Sequence, residues 1–367
     1  MTRPLYADCQ APATRSGGGH AGLWYDKFCD RWRVEGGAWS LAQEKLAWIA
    51  GTAGAVGQPT LIQEVVDRQL ALVEARKGQF GVFVAESRFV TGTGRSHPVE
   101  NGFVWHPTLG TPYLPGSSIK GLMRSWAVEA GESGATIAAA LGPDGRDEHG
   151  AGRVVVFDAL PAGPLTVEAD VLTPHYANWT EDEPPADWRS PTPIPFLVTA
   201  AGATLVFSLA RADARSTEQA ALVELAWGWL KAGLAGAGAG AKTAVGYGRF
   251  AWDEAASRAL RGRIEDQEAV RRRDRDRLTP EGRWRNALEG ESEVEVVALV
   301  RTHLKTTPIA DLVSRRAFAA VALALPLPDA WRQGRAHTDK LSKGSVPGAD
   351  KLKELYRLLM AAKDATS

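Results

Sequence analysis

LPGSSIKGLMR, residues 114–124, is the stretch on which the reading of this chain turns. Pro115 and Gly116 stop the preceding segment, and Ser117 and Ser118 stand where a helix would begin. Lys120 and Arg124, four residues apart, then fall on one face of its first turns. Two hydroxyls, two cations and the free amides of a helix start would together suit an anionic backbone. The same residues also suit a plain helix cap with cations turned to solvent. Ile119, Met123, Trp126 and Ala130 supply the apolar stripe of that helix.

Working outward, TLIQEVVDRQLALVEARK (60–77) predicts an amphipathic helix with Ile62, Val66, Gln69 and Val73 on its buried stripe. FGVFVAESRFVTGTG (80–94) alternates at Phe83, Ala85, Ser87 and Phe89 and predicts a strand ending in a glycine turn. Further strands are expected at Gly102–His106, Arg153–Leu160, Leu165–Leu172 and Ala203–Ala210. Thr217–Leu234 reads as a buried helix, and Tyr247–Trp252 as a closing strand. The interval 173–196 carries six prolines and no period, so it is expected to be irregular. Strands and helices interleaved in this way predict an α+β fold with a mostly antiparallel sheet.

At 367 residues, 44% hydrophobic and 23% charged, the chain has the composition of a globular protein. No apolar run approaches the roughly 18 residues of a membrane span, and no signal peptide is visible, so a cytoplasmic location is expected. Two cysteines cannot build a disulfide framework or a four-ligand zinc site. The net charge is zero, yet residues 255–367 hold 22 Lys and Arg against 16 Asp and Glu, whereas residues 1–254 are acidic by the same margin. The division expected is a mobile leader at 1–22, a main domain at 23–254 and a charged, mainly helical C-terminal extension at 255–367.

GAGAGAKT (236–243) invites comparison with the phosphate loop of nucleotide hydrolases. That loop needs glycine before its lysine and runs from strand to helix; here Ala241 precedes Lys242, and the order is helix, loop, strand. A glycine run that lets the backbone approach another chain fits better. The seven histidines are scattered, and neither a metal-binding motif nor a serine-nucleophile elbow is present. No metal or cofactor is therefore expected. Glu100 and Asp158, lone carboxylates near glycine turns, carry no assignment from sequence. Lys242, Arg249 and Tyr247 on the glycine loop join the Lys120 motif as cations and aromatics on glycine-punctuated loops, the equipment of single-stranded nucleic acid binding.

These motifs resemble a known family. LPGSSIKGLMR and GAGAGAKTAVGYGRF are similar to the signature and the C-terminal glycine-rich loop of the RAMP superfamily of CRISPR effector proteins. GLWYDKF (22–28), NGFVWHPTLGTPYLPGSSIKG (101–121), DVLTPHYANW (170–179), PPADW (184–188) and PTPIPFL (191–197) resemble the sixth-subunit family of the type III-B Cmr complex. The resemblance covers residues 20–252 and fades after 254. It implies a RAMP fold, a modified ferredoxin-like or RNA-recognition-type antiparallel sheet with helices on one side.

It also implies a cytoplasmic antiviral ribonucleoprotein built on guide RNA (crRNA). Such a subunit sits toward the end that holds the guide's 3′ portion and helps capture target RNA. Its partners would be backbone RAMP subunits and the neighbouring end subunit, and it would not be the nuclease. The expected RNA-binding residues are Ser117, Ser118, Lys120, Arg124, Lys242, Thr243, Gly246, Tyr247 and Arg249, with His175 and Tyr176 facing either nucleotides or a neighbouring subunit. The alternatives are an endoribonuclease using Tyr247 on guide RNA, and a structural adaptor held by protein contacts alone.

Overall fold

The computed structural model describes residues 15, 18–29, 31–41, 44–144, 150–173 and 193–279. The chain divides into two compact units, Met1–Ile264 and Glu265–Ser367. The second is described only to residue 279, so the strand and helices expected beyond that point lie outside the described residues.

The N-terminal part holds helix α1 (Ala21–Lys27), the hairpin β1 (Arg33–Glu35) and β2 (Ala38–Ser40), helix α2 (Lys45–Thr52), strand β3 (Gly54–Val56) and helix α3 (Pro59–Ala75). Strand β4 (Gln79–Ala85), the short hairpin β5 (Ser96–His97) and β6 (Glu100–Asn101), and helices α4 (Gly116–Glu129) and α5 (Gly134–Leu141) follow. Then come β7 (Val154–Val156), β8 (Leu160–Pro161), β9 (Leu165–Leu172), β10 (Ile194–Thr199) and β11 (Thr204–Arg211). Helix α6 (Glu218–Gly236), β12 (Phe250–Asp253) and α7 (Glu254–Leu278) complete the described chain.

Two antiparallel sheets organise these elements. The larger has the order β12-β4-β11-β7, with β8 also paired to β11. Taken in chain order, β4–α4–β7–β11–α6–β12 is a β-α-β-β-α-β unit, the ferredoxin-like arrangement expected. The smaller sheet, β10-β9-β3, uses strands that lie between β8 and β11 in sequence, plus β3 from the N-terminal part.

The core explains why the patterns look as they do. Phe83, Leu205, Phe207, Leu209 and Phe250 pack with Ile119, Met123, Trp227 and Leu230 on one side of the larger sheet. Phe80, Val82, Leu160 and Val206 face the other way, onto Ile62, Val66, Leu70 and Val73 of α3 and Ile264 of α7. The sheet is thus covered on both faces, which corrects the expectation of helices on one side. It also explains why β4, buried at Phe80, Gly81, Val82, Phe83 and Ala85, does not show a polar face.

Other expectations need smaller corrections. The buried stripe of α3 uses Leu70, whereas Gln69 donates to the Asp158 carbonyl and the Ser208 hydroxyl, each at 3.0 Å. No continuous strand forms at Gly102–His106; Trp105 makes only an isolated bridge to Pro112. The proline-rich interval ends in a true strand, β10, whose Pro195 opposes Val171. β10 is the edge of its sheet, where a missing amide costs no ladder bond.

Candidate nucleic-acid interface

Helix α4 begins one residue earlier than its serines suggest. Pro115 occupies the N-cap position with no side-chain cap, and Gly116 is the first helical residue. The Gly116 amide donates instead to Asp158 Oδ1 at 2.6 Å. Leu114 and Ala159 exchange backbone hydrogen bonds beside it, which fixes the 158 turn against the helix start. One of the free amides is therefore already held by a carboxylate of the chain itself. Ser117 and Ser118 are exposed on the first turn, and Lys120 is half-buried one turn further on.

Arg124 has a different employment. Its Nη2 donates to Gly142 O at 2.6 Å and Leu141 O at 3.5 Å, and its Nε lies 3.7 Å from Asp144. It ties off the C-terminal carbonyls of α5. Around the helix start, the His106 and Tyr113 rings meet edge-on at 5.3 Å. Burial lowers the His106 pKa, while the Asp158 charge works against that shift. His106 Nδ1 accepts from the Thr108 and Leu109 amides, each at 3.2 Å.

The glycine-rich loop joins α6 to β12, in the order expected. Its neck is bound to the segment after β4. Ala241 donates to Val90 O at 2.7 Å, Gly248 to Arg88 O at 2.8 Å, and Ala239 to Gly248 O at 2.8 Å. Gly240 and Gly248 make this possible: both have positive φ, and a Cβ would stand 2.4 Å from Val90 O at the first and 2.0 Å from Ala239 O at the second. These two glycines serve close packing within the chain. A Cβ at Gly240 would also come 3.8 Å from Leu114 Cδ2, so the neck of the loop lies near the residue that precedes α4.

Beyond the neck, Lys242 adopts the left-handed region at φ 62°, and a short 3₁₀ turn, Thr243–Val245, ends at Gly246. Thr243 is half-buried; Ala244, Val245 and Gly246 are exposed, with Val245 at 67%, so the tip points outward. The ammonium of Lys242 lies 5.3 Å from the centre of the Phe196 ring. Arg249 donates from its amide to the Ser87 hydroxyl at 3.1 Å and from Nη1 to Ala235 O at 3.3 Å, which ties the end of α6 to the loop.

Tyr247 donates its O–H to Asp170 Oδ2 at 2.6 Å. Burial and that hydrogen bond push its pKa from about 10 up to about 12. Arg88 Nη1 reaches the same oxygen at 2.6 Å, and its Nε lies 3.7 Å from Glu168. For Asp170, burial opposes ionisation. The hydrogen bonds from Tyr247, the Val171 amide and Arg88 outweigh it and hold the carboxyl below its ordinary pKa. Arg88 and Asp170 do not stand out in the sequence; the one local trace is the pair of acids Glu168 and Asp170 in an otherwise mostly apolar strand, LTVEADVL. His175 and Tyr176 lie outside the described residues. Among the described residues no group of His, Cys, Asp and Glu is placed to hold a metal, and no helix is long and apolar enough to cross a membrane.

Comparison with known proteins bears directly on this geometry. The RAMP superfamily model matches residues 82–251, from β4 to β12, and so spans both motifs. Residues 82–251 are thus similar to the RAMP superfamily. Within them, the helix start and the glycine loop stand on the β-α-β-β-α-β unit itself. The chain is also similar to the CRISPR system Cmr subunit Cmr6 of Pyrococcus furiosus, at 27% identity. That match covers 46% of this chain and 66% of the relative, just short of two thirds of its length.

Two solved structures are similar as well. One is the type III-B Cmr-beta bound to cognate target RNA, with a TM-score of 0.45 and 22% identity over 54% of this chain and 67% of the matched chain. The other is Cmr6 from Pyrococcus furiosus, with a TM-score of 0.31 and 25% identity over 48% of this chain and 97% of the matched chain.

Proposed function

We propose that this Cmr6-like RAMP protein is a non-catalytic, RNA-binding subunit of a type III-B Cmr ribonucleoprotein in the cytoplasm. In this reading it holds the backbone of the guide RNA toward its 3′ end and contributes to capture of target RNA in antiviral defence. Its protein partners would be backbone RAMP subunits and the neighbouring end subunit.

The observation that carries this reading is the nearness of the α4 start to the neck of the glycine loop, where a Cβ at Gly240 would come 3.8 Å from Leu114 Cδ2. Exposed Ser117 and Ser118 and the Lys120 cation are borne on the first of these elements, and the outward tip Thr243–Gly246 on the second. A guide sequence varies, so a subunit that accepts any guide must address phosphates and sugars, and small loops with cations suit that task. The covered sheet supports the same conclusion. An RNA-recognition-type sheet stacks bases on an open face, but here α3 and α7 lie over the face formed by Phe80, Val82, Leu160 and Val206. RNA contact therefore falls to loops and the helix start. Within the expected set, Lys120, Ser117, Ser118, Lys242, Thr243 and Gly246 are the residues assigned to RNA. Arg124, Arg249 and Tyr247 hold the scaffold in place.

A non-catalytic role is supported by the state of Tyr247, the residue best placed for an RNA-cleaving alternative. Its phenol is a protonated donor locked on a carboxylate with its pKa pushed up to about 12, opposite to what a general base near neutral pH requires.

The test is guide-RNA binding by the assembled complex with Lys120→Ala and Lys242→Ala combined. Affinity should fall about tenfold and the salt slope should flatten by roughly 1–1.5, as for two lost phosphate contacts on single-stranded RNA. Unchanged affinity together with an unchanged slope would refute the assignment.

A further inference from the structure

We propose that the cross-strand pair Asp170 and Phe196 is a positioning element that sets the glycine loop for RNA, without touching RNA itself. This rests on the reading of the loop as an RNA contact. Asp170 of β9 and Phe196 of β10 are direct register partners, so their side chains stand on one face of the smaller sheet. Each takes hold of one end of the loop tip. Phe196 receives the Lys242 ammonium, and Asp170 accepts from the Tyr247 hydroxyl. The Phe196 and Tyr247 rings are themselves 6.1 Å apart, which closes the clamp.

The chemistry of the position excludes direct contact. A carboxylate beside a phosphate would repel it, and Asp170 lies next to the loop assigned to RNA. Its charge is used internally: Arg88 and Tyr247 both donate to Oδ2, and the Val171 amide donates to Oδ1 at 2.8 Å. Arg88 also binds the loop through its backbone, accepting from the Gly248 amide. The side chain of Asp170 is 18% exposed against 47% for Arg88, as expected for an anchor beneath a surface cation. A tip carried on several positive-φ residues is costly to order, and a clamp from a separate sheet is what keeps it in one conformation.

The experiment measures hydrogen exchange of the 242–247 amides in the free full-length chain, and guide-RNA affinity with its salt slope in the assembled complex. Tyr247→Phe removes a single hydrogen bond and guards against a variant that fails to fold. Asp170→Ala removes the anchor, and Asp170→Asn retains a carbonyl that can accept from Arg88 and Tyr247. We expect exchange about tenfold faster in Asp170→Ala, a smaller increase in Tyr247→Phe and substantial recovery in Asp170→Asn. Guide affinity should fall in the same order with an unchanged salt slope, because no phosphate contact is lost. Unchanged exchange in all three variants overturns the proposal, as does a rise in RNA affinity on removing the Asp170 charge. Faster exchange with unaltered RNA affinity would uphold the clamp and refute the loop's role in RNA contact.

Discussion

The amide of Gly116 donates to the carboxylate of Asp158, which follows it by 42 residues, at 2.6 Å. The helix that opens the LPGSSIKGLMR motif is thus capped from a distant turn, and its own serines are left free on the surface. Loss of an N-cap acceptor costs about 1 kcal/mol. Asp158→Ala should lower the thermal midpoint by a few degrees, with Asp158→Asn between it and the parent protein. Thermal unfolding of the full chain would show this, and an unchanged midpoint in Asp158→Ala would mean that water replaces the carboxylate at no cost.

Lys242 holds a left-handed backbone that is unfavourable for a residue with a Cβ, by roughly 1 kcal/mol. Its cation–π contact with Phe196 returns a similar amount, on the order of 0.5–1 kcal/mol. Lys242→Gly should therefore leave the unfolding midpoint nearly unchanged while weakening guide RNA binding about threefold or more. Paired calorimetry and binding measurements separate the two effects. A large loss of stability would assign Lys242 to the fold.

Gly248 combines φ +77° with a Cβ position 2.0 Å from Ala239 O, a backbone atom that cannot move aside. Gly248→Ala should destabilise the chain by about 2 kcal/mol or more and open the loop neck. Gly246→Ala, which meets nothing within 4 Å, should bear only the left-handed penalty of about 1 kcal/mol. Denaturant unfolding of the two variants gives the comparison.

His97 supplies a pH dependence. Its ring stacks on Tyr25 at 4.3 Å and its side chain is 5% exposed. Burial lowers its pKa from 6.5 to about 4. The Tyr25 carbonyl, 3.4 Å from Nε2, works against that shift without cancelling it, and the Lys27 charge adds to it. The unfolded chain takes up this proton near pH 6.5 and the folded chain only near 4, so stability is full above 6.5 and declines as pH falls through that window. The loss reaches on the order of 2–3 kcal/mol. Unfolding free energies at pH 7, 5.5 and 4.5, with His97→Gln as control, should show a slope that flattens in the variant.

Much of the fold was legible where one face of an element is buried. Strand β9 and helices α3 and α6 follow their hydrophobic periods closely. Legibility fails where burial is two-sided, as in β4, and where a strand breaks the proline rule because it is an edge, as in β10. Helix α5 is short, eight residues of small and apolar types with no polar face to reveal it.

The site divides in the same way. Lys120 and the glycine loop announce themselves by composition. The partners of Arg124, Arg249 and Tyr247 do not, because carbonyls at 141, 142 and 235 and the carboxylate of Asp170 reach them only through tertiary packing. A cation in sequence does not declare whether it faces solvent or a helix end.

RNA is expected to lie along the α4 start and the glycine-loop tip. Crosslinking of guide RNA within the assembled complex, with the attached peptides identified by mass spectrometry, tests it most directly. Crosslinks are expected within 117–120 and 242–247. Crosslinks confined to α3 and α7, or to other subunits alone with these two segments bare, would contradict it.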